Sequence, residues 1–128
     1  MVLCKNSEMV KNRFALNGHY ELRLGDSDQV IQQLASPGAE GYVIGRSDDR
    51  GVYVPDIDLA AFAALDRGVS RRHAALVAFR DGLHVVDLAS VNGTFINQER
   101  LTPNKPYPLH EGDDLRLGTL NLALIKTQ

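Results

Sequence analysis

A chain of 128 residues, 44% of them hydrophobic, suits one globular domain with a core of ordinary size rather than a disordered segment. Its formal net charge of -2 provides no overall field to attract nucleic acid, and no apolar run approaches the ~18 residues that span a membrane. The single cysteine, Cys4, excludes an intrachain disulfide and a Cys-rich zinc site.

Residues 1–18 are polar with scattered apolar side chains (Met9, Val10, Phe14, Leu16) and are expected to form an N-terminal tail, with the domain spanning 19–128. Met1 to Cys4 are interrupted at once by Lys5 and Asn6, too short a run for a secretory signal, so a cytoplasmic protein is expected. Strand character begins at Tyr20, where Tyr20, Leu22 and Leu24 alternate with Glu21 and Arg23. Tyr42-Val43-Ile44 is a short apolar run. Asp58 is placed to cap a short helix in which Leu59, Phe62 and Leu65 share a face, with Gly68 just beyond its end. Ala74 to Phe79 and Leu83 to Leu88 flank Arg80-Asp81-Gly82, a hairpin turn signal. Leu115 to Leu117 and Leu120 to Ile125 flank a second turn, Gly118-Thr119, with Leu120, Leu122 and Leu124 on one face. Short strands separated by frequent turns predict an all-β sandwich. No internal repeat or low-complexity stretch interrupts it.

Several polar residues in this frame suit the binding of a phosphate monoester, a dianion with three strong acceptor oxygens. Arg46, at the end of the Tyr42–Ile44 run, supplies a planar fork of donors matched to phosphate. Ser70 adds a hydroxyl, and Arg71 a second cation or a backbone N–H. Each charge-assisted hydrogen bond contributes about 1.5–3 kcal/mol. Three or four, less the cost of ordering a peptide, leave a net of about -8 kcal/mol, a micromolar contact. Asn92 carries both a donor and an acceptor, and can bridge the N–H and C=O of an extended peptide without reading its side chains. Gly93 beside it permits a tight turn. Taken alone, Asn92-Gly93 is only a turn; Arg46 and the segment Ser70-Arg71-Arg72-His73 turn the balance toward binding.

Ser70, His73 and Asp87 also invite a hydrolase reading. The Ser-x-x-His spacing makes their contact local, and no Gly-x-Ser-x-Gly elbow is present, so no catalytic residue is expected. His73 is expected instead to hold the loop backbone. His19, His73, His84 and His110 are dispersed, without partners at ligand spacing, so neither a metal nor a cofactor is expected. Between Arg46 and Arg72 lie five arginines and five aspartates, a locally basic site in neutral surroundings that suits a discrete phosphate rather than a long polyanion. Arg67 and Arg72 flank the proposed loop and are placed to meet peptide residues beyond the phosphate, whereas Arg80 and Arg100 are expected to be solvated charges.

Gly45-Arg46, Ser70-Arg71-Arg72-His73 and Asp87 to Thr94, in that order, resemble the forkhead-associated (FHA) domain. The resemblance covers roughly Tyr20 to Ile125 and is supported by Phe95-Ile96-Asn97, Leu101 and the run Leu109 to Leu117. It implies a sandwich of about eleven strands in two sheets, a non-catalytic module that binds phosphothreonine in a partner protein, and a Ser/Thr kinase pathway around it. By this similarity Arg46 and Ser70 touch the phosphate, Arg71 assists, and Asn92 holds the peptide backbone. Gly45, His73 and Gly93 shape the loops. Val54 to Val69 resembles a bacterial variant with a helical insert before the Ser-Arg segment. Val91 departs from members that place a polar, phosphate-binding side chain there. It implies weaker phosphate binding, and it could line a pocket for the threonine methyl. Some stand-alone relatives in bacteria bind a phosphothreonine of their own tail. Thr94 is the first threonine of this chain, so that self-switch is not expected. A phosphate-independent interaction or oligomerisation domain on the same scaffold is the alternative.

Overall fold

The computed structural model of the chain describes residues 18–127 apart from 26, 38, 39 and 81; the expected tail, up to residue 17, lies outside the described residues. The fold is all-β. Eleven strands run in chain order as β1 (His19–Leu24), β2 (Val30–Ala35), β3 (Tyr42–Gly45), β4 (Ile57–Asp58), β5 (Arg72–Phe79), β6 (Gly82–Asp87), β7 (Thr94–Ile96), β8 (Glu99–Arg100), β9 (Tyr107–Pro108), β10 (Leu115–Leu117) and β11 (Leu120–Lys126). They form two sheets, one in the order β2-β1-β11-β10-β7-β8 and the other β4-β3-β5-β6-β9. All pairings are antiparallel except β3 with β4.

Alternation fixes which face each strand buries. Tyr20 and Leu22 on β1 and Leu120, Leu122 and Leu124 on β11 point inward, joined by Leu115 and Leu117 of β10. Ile44, Ala74, Leu76, Leu83 and Val85 cover them from the second sheet. Each such Leu or Ile contributes about 1.5–3 kcal/mol by leaving water. Both expected turns are present: Phe79 pairs with Gly82 across the β5–β6 hairpin, and Leu117 with Leu120 across Gly118-Thr119.

The expected helix shrinks to one 3-10 turn, Ala60–Phe62. Asp58, in β4, does accept the Ala60 N–H (3.0 Å). Ala63 then adopts a left-handed conformation (φ 60°), which ends the helix after a single turn. In consequence Leu59 is fully buried and Phe62 packs partly buried against the core, while Leu65 is 68% exposed instead of sharing their face and Ala64 is buried in its place. Strand β2 was not evident from periodicity because Leu34 is its only buried residue, and β4, β8 and β9 are too short to show a period. No helix among the described residues is long and apolar enough to cross a membrane.

Candidate functional site

Four segments meet at one end of the sandwich: the loop after β3, the chain leading into β5, the β6–β7 loop and the β10–β11 turn. Backbone and side-chain hydrogen bonds between them fix their relative positions.

Arg46 follows β3 directly. Its N–H donates to the Arg71 carbonyl (3.2 Å), and its Nε donates to the Val69 carbonyl (2.7 Å). The guanidinium is therefore anchored through Nε, which leaves its two terminal nitrogens as a fork. Gly45 is what allows the close approach: a Cβ there would overlap the Arg71 carbonyl oxygen. The loop beyond Arg46 is held by Asp58, whose Oδ1 accepts the Ser47 N–H (2.9 Å) as well as that of Ala60. Burial works against the Asp58 carboxylate. The Ser47 hydroxyl and N–H and the Ala60 N–H outweigh it and hold the carboxyl below its ordinary range.

Ser70 is half-buried on the rim, its Oγ accepting the Val91 N–H (3.3 Å) while its own hydroxyl proton is left to donate. The Ser70 N–H donates to Nδ1 of His73 (2.9 Å). Since that nitrogen accepts, the ring proton sits on Nε2, which donates to the Gly93 carbonyl (2.9 Å). His73 is fully buried, and this desolvation holds its pKa below the ordinary value; the Gly93 carbonyl and the Asp87 charge pull the other way without prevailing. Arg71 is exposed, its Nη1 3.7 Å from Asp48 Oδ2. Arg72 is also exposed and pairs with Gly45 in register.

Asn92 is exposed and donates from Nδ2 to the Gly68 carbonyl (3.0 Å). Gly93, at φ 89°, donates to Ser90 Oγ (3.0 Å), and its carbonyl also accepts the Gly118 N–H (3.0 Å). Arg67 reaches the Thr119 carbonyl from Nη1 (3.4 Å) and lines a cleft of about 400 Å³ with Asn92, Phe95 and Arg116. Val91 is 81% exposed beside Ser70. Arg46, Ser70, Arg71, Val91 and Asn92 thus share one rim, with Gly45, His73 and Gly93 beneath it.

The sequence names Asp87 as a hydrolase candidate and as the start of the Asp87 to Thr94 run, but not as the buried carboxylate that shapes the Asn92 loop. Asp87, 1% exposed, accepts from Ser90 Oγ (2.6 Å), Thr94 Oγ1 (2.7 Å) and the Ser90 N–H (3.3 Å). The signal was an Asp followed three residues on by a Ser, a spacing at which the side chain can satisfy local backbone. The same bonds disconnect the hydrolase constellation. Asp87 is committed to Ser90 and Thr94, and His73 takes the Ser70 N–H rather than its hydroxyl. No group of His, Cys, Asp and Glu among the described residues could hold a metal ion.

A family model described as "FHA domain" matches residues 42–118. The chain is 47% identical over 100 residues to the protein phosphatase 1 regulatory inhibitor subunit PPP1R8 homolog of Arabidopsis thaliana, a match covering 77% of the chain and 24% of that relative. It is 37% identical over 97 residues to Protein FraH of Nostoc sp., covering 76% of the chain and 32% of the relative. The chain therefore spans a third or less of these curated relatives. A solved structure from work on phosphothreonine-dependent FHA domain interactions superposes with a TM-score of 0.63 at 28% identity, covering 86% of this chain and 98% of that one.

Proposed function

This chain belongs to the FHA family, and from that premise we propose that its loop rim binds a phosphothreonine within an extended segment of a partner protein. FHA domains are recognition modules that bind phosphothreonine peptides rather than a family of enzymes. In this reading the terminal nitrogens of Arg46 and the Ser70 hydroxyl meet the phosphate oxygens, and Arg71 turns from Asp48 to assist. At 3.7 Å, with the Arg71 side chain 62% exposed, the Arg71–Asp48 contact costs little to open. Asn92 holds the peptide backbone. Arg67, Arg72 and Val91 stand where neighbouring peptide groups pass.

The observation that carries this reading is the anchoring of Arg46. Its Nε bond to Val69 fixes the guanidinium one residue from Ser70, so cation and hydroxyl are preorganised side by side although they come from two different loops. We place the module at 19–128, after a tail of 18 residues, and assign it to a Ser/Thr kinase pathway in the cytoplasm, without a cofactor, nucleic acid or membrane insertion.

The test is a titration of one peptide in phosphothreonine, phosphoserine and unmodified threonine forms, with Arg46→Ala alongside. Saturable micromolar binding of the phosphothreonine form alone, lost in the variant, is the expected result. Equal behaviour of the three forms with folded protein would replace this reading with the phosphate-independent interaction domain.

A further inference from the structure

Next to Arg46 lies a hollow of about 350 Å³ that the phosphate reading leaves unused. The 3-10 turn and the bend after it build its apolar floor from Ala60, Ala63 and Leu65. Asp48, Asp49 and Asp66 supply its polar wall. We propose that this hollow receives a lysine or arginine side chain of the bound segment, on the side of the phosphothreonine away from Asn92. The proposal rests on the phosphothreonine reading and specifies the peptide that the site prefers.

Charge and shape agree on that occupant. Against three carboxylates the hollow sets one cation, Arg46, and a bound phosphate dianion would more than neutralise it. Asp48 is already shared, accepting the Val52 N–H (3.2 Å) and lying 3.7 Å from Arg71. Asp49 and Asp66 are exposed and form no ion pair among the described residues. A second cation is therefore favoured there and an acidic side chain disfavoured.

The floor decides which kind of cation. Leu65 is 68% exposed, the consequence of the left-handed Ala63 that ended the helix early. Lysine and arginine stems lie along such apolar surface while their heads reach a polar rim. A bare metal ion would gain nothing from Ala60, Ala63 and Leu65, and the carboxylates do not gather into a metal-binding group. Placement follows from continuity. Arg46 belongs both to the hollow and to the phosphate rim, whereas Asn92 lines a second cleft with Arg67 and Arg116 that shares only Asp66 with the hollow. An extended segment that leaves the phosphate past Asn92 in one direction meets the hollow in the other. It does so within about three residues, roughly 10 Å of chain.

The test is fluorescence anisotropy with phosphothreonine peptides on an alanine background. Lysine, and separately glutamate, is moved through the three positions on each side. The expected result is one position, on one side only, where lysine binds about fivefold tighter than alanine and glutamate binds more weakly. In Asp49→Asn/Asp66→Asn the lysine peptide falls to the level of the alanine peptide. Equal affinities for lysine, alanine and glutamate at every position in the unaltered protein would overturn the proposal, as would a lysine preference that survives in the double variant. In either case the gap between phosphorylated and unmodified alanine peptides leaves the phosphate reading standing. If that gap is absent, both readings fall.

Discussion

The buried imidazole of His73 joins Ser70 to Gly93: it accepts the N–H of one at 2.9 Å and donates to the carbonyl of the other at 2.9 Å. These residues lie 23 positions apart in sequence, on the two loops that carry the hydroxyl and the amide of the proposed site. Only the neutral ring can make both bonds, because protonation would turn Nδ1 into a donor facing a donor.

Stability should therefore fall in mild acid. The folded-state pKa of His73 lies below its ordinary value of 6.5, with burial as the main cause. The unfolded chain takes up the proton first as pH drops. The contribution of His73 is thus fully present above about pH 6.5 and is lost as pH falls through the folded value. Urea melts between pH 7.5 and pH 5 are expected to show this decline. His73→Asn, which keeps an acceptor but does not titrate, should flatten it. Stability is the better readout because the peptide phosphate itself titrates near pH 6. An unchanged slope in the variant would assign the decline to other groups.

Gly45→Ala should destabilise the fold by about 3 kcal/mol, because the added methyl overlaps the Arg71 carbonyl within the β3–β5 pairing. Gly51→Ala is the informative comparison. Gly51 has a positive φ (68°) and nothing within 4 Å of an added Cβ, so only backbone strain of about 1 kcal/mol applies. Denaturant melts of the two variants should rank in that order, and equal losses would mean that the β3–β5 bulge yields easily.

The two sheets were legible because their central strands bury one face, as Leu120, Leu122 and Leu124 show. β2 was not, since only Leu34 of its six residues is buried. The extent of the insert was misjudged because Leu59, Phe62 and Leu65 have helical spacing, yet Ala63 takes a left-handed turn that no periodicity reports. At the site, the charged residues announced themselves by type, and the resemblance supplied their grouping. What supports them did not. Asp87 stood out as a catalytic candidate and as the start of a motif, but not as a support, since that role depends on Thr94 being seven residues away and inward-facing.

Asp87→Ala should cost about 3 kcal/mol by leaving the Ser90 and Thr94 hydroxyls and the Ser90 N–H without their acceptor. Asp87→Asn keeps one acceptor oxygen and should lose less. Asp87 is 1% exposed and cannot touch a ligand, so any fall in phosphopeptide affinity in the folded variants reports the loosened loop that carries Asn92. Calorimetric melts and peptide titrations on the same samples separate the two effects. A melt within about 0.5 kcal/mol of the parent for Asp87→Ala would show that water replaces the carboxylate.

Val91→Ser probes the one apolar side chain among the five rim residues Arg46, Ser70, Arg71, Val91 and Asn92. Val91 is 81% exposed, so the exchange should shift stability by less than about 0.5 kcal/mol. Its N–H already contacts Ser70 Oγ (3.3 Å), which puts a new hydroxyl beside the phosphate rim. One further hydrogen bond at an exposed site, about 0.5–1 kcal/mol, should tighten phosphothreonine binding by roughly two- to fivefold. The same change removes the two methyl groups available to the threonine methyl, so the preference for phosphothreonine over phosphoserine should narrow. Titrating both peptides against both proteins gives the ratio directly. Tighter binding with an unaltered ratio would keep the added donor and dismiss Val91 as the reader of the methyl group.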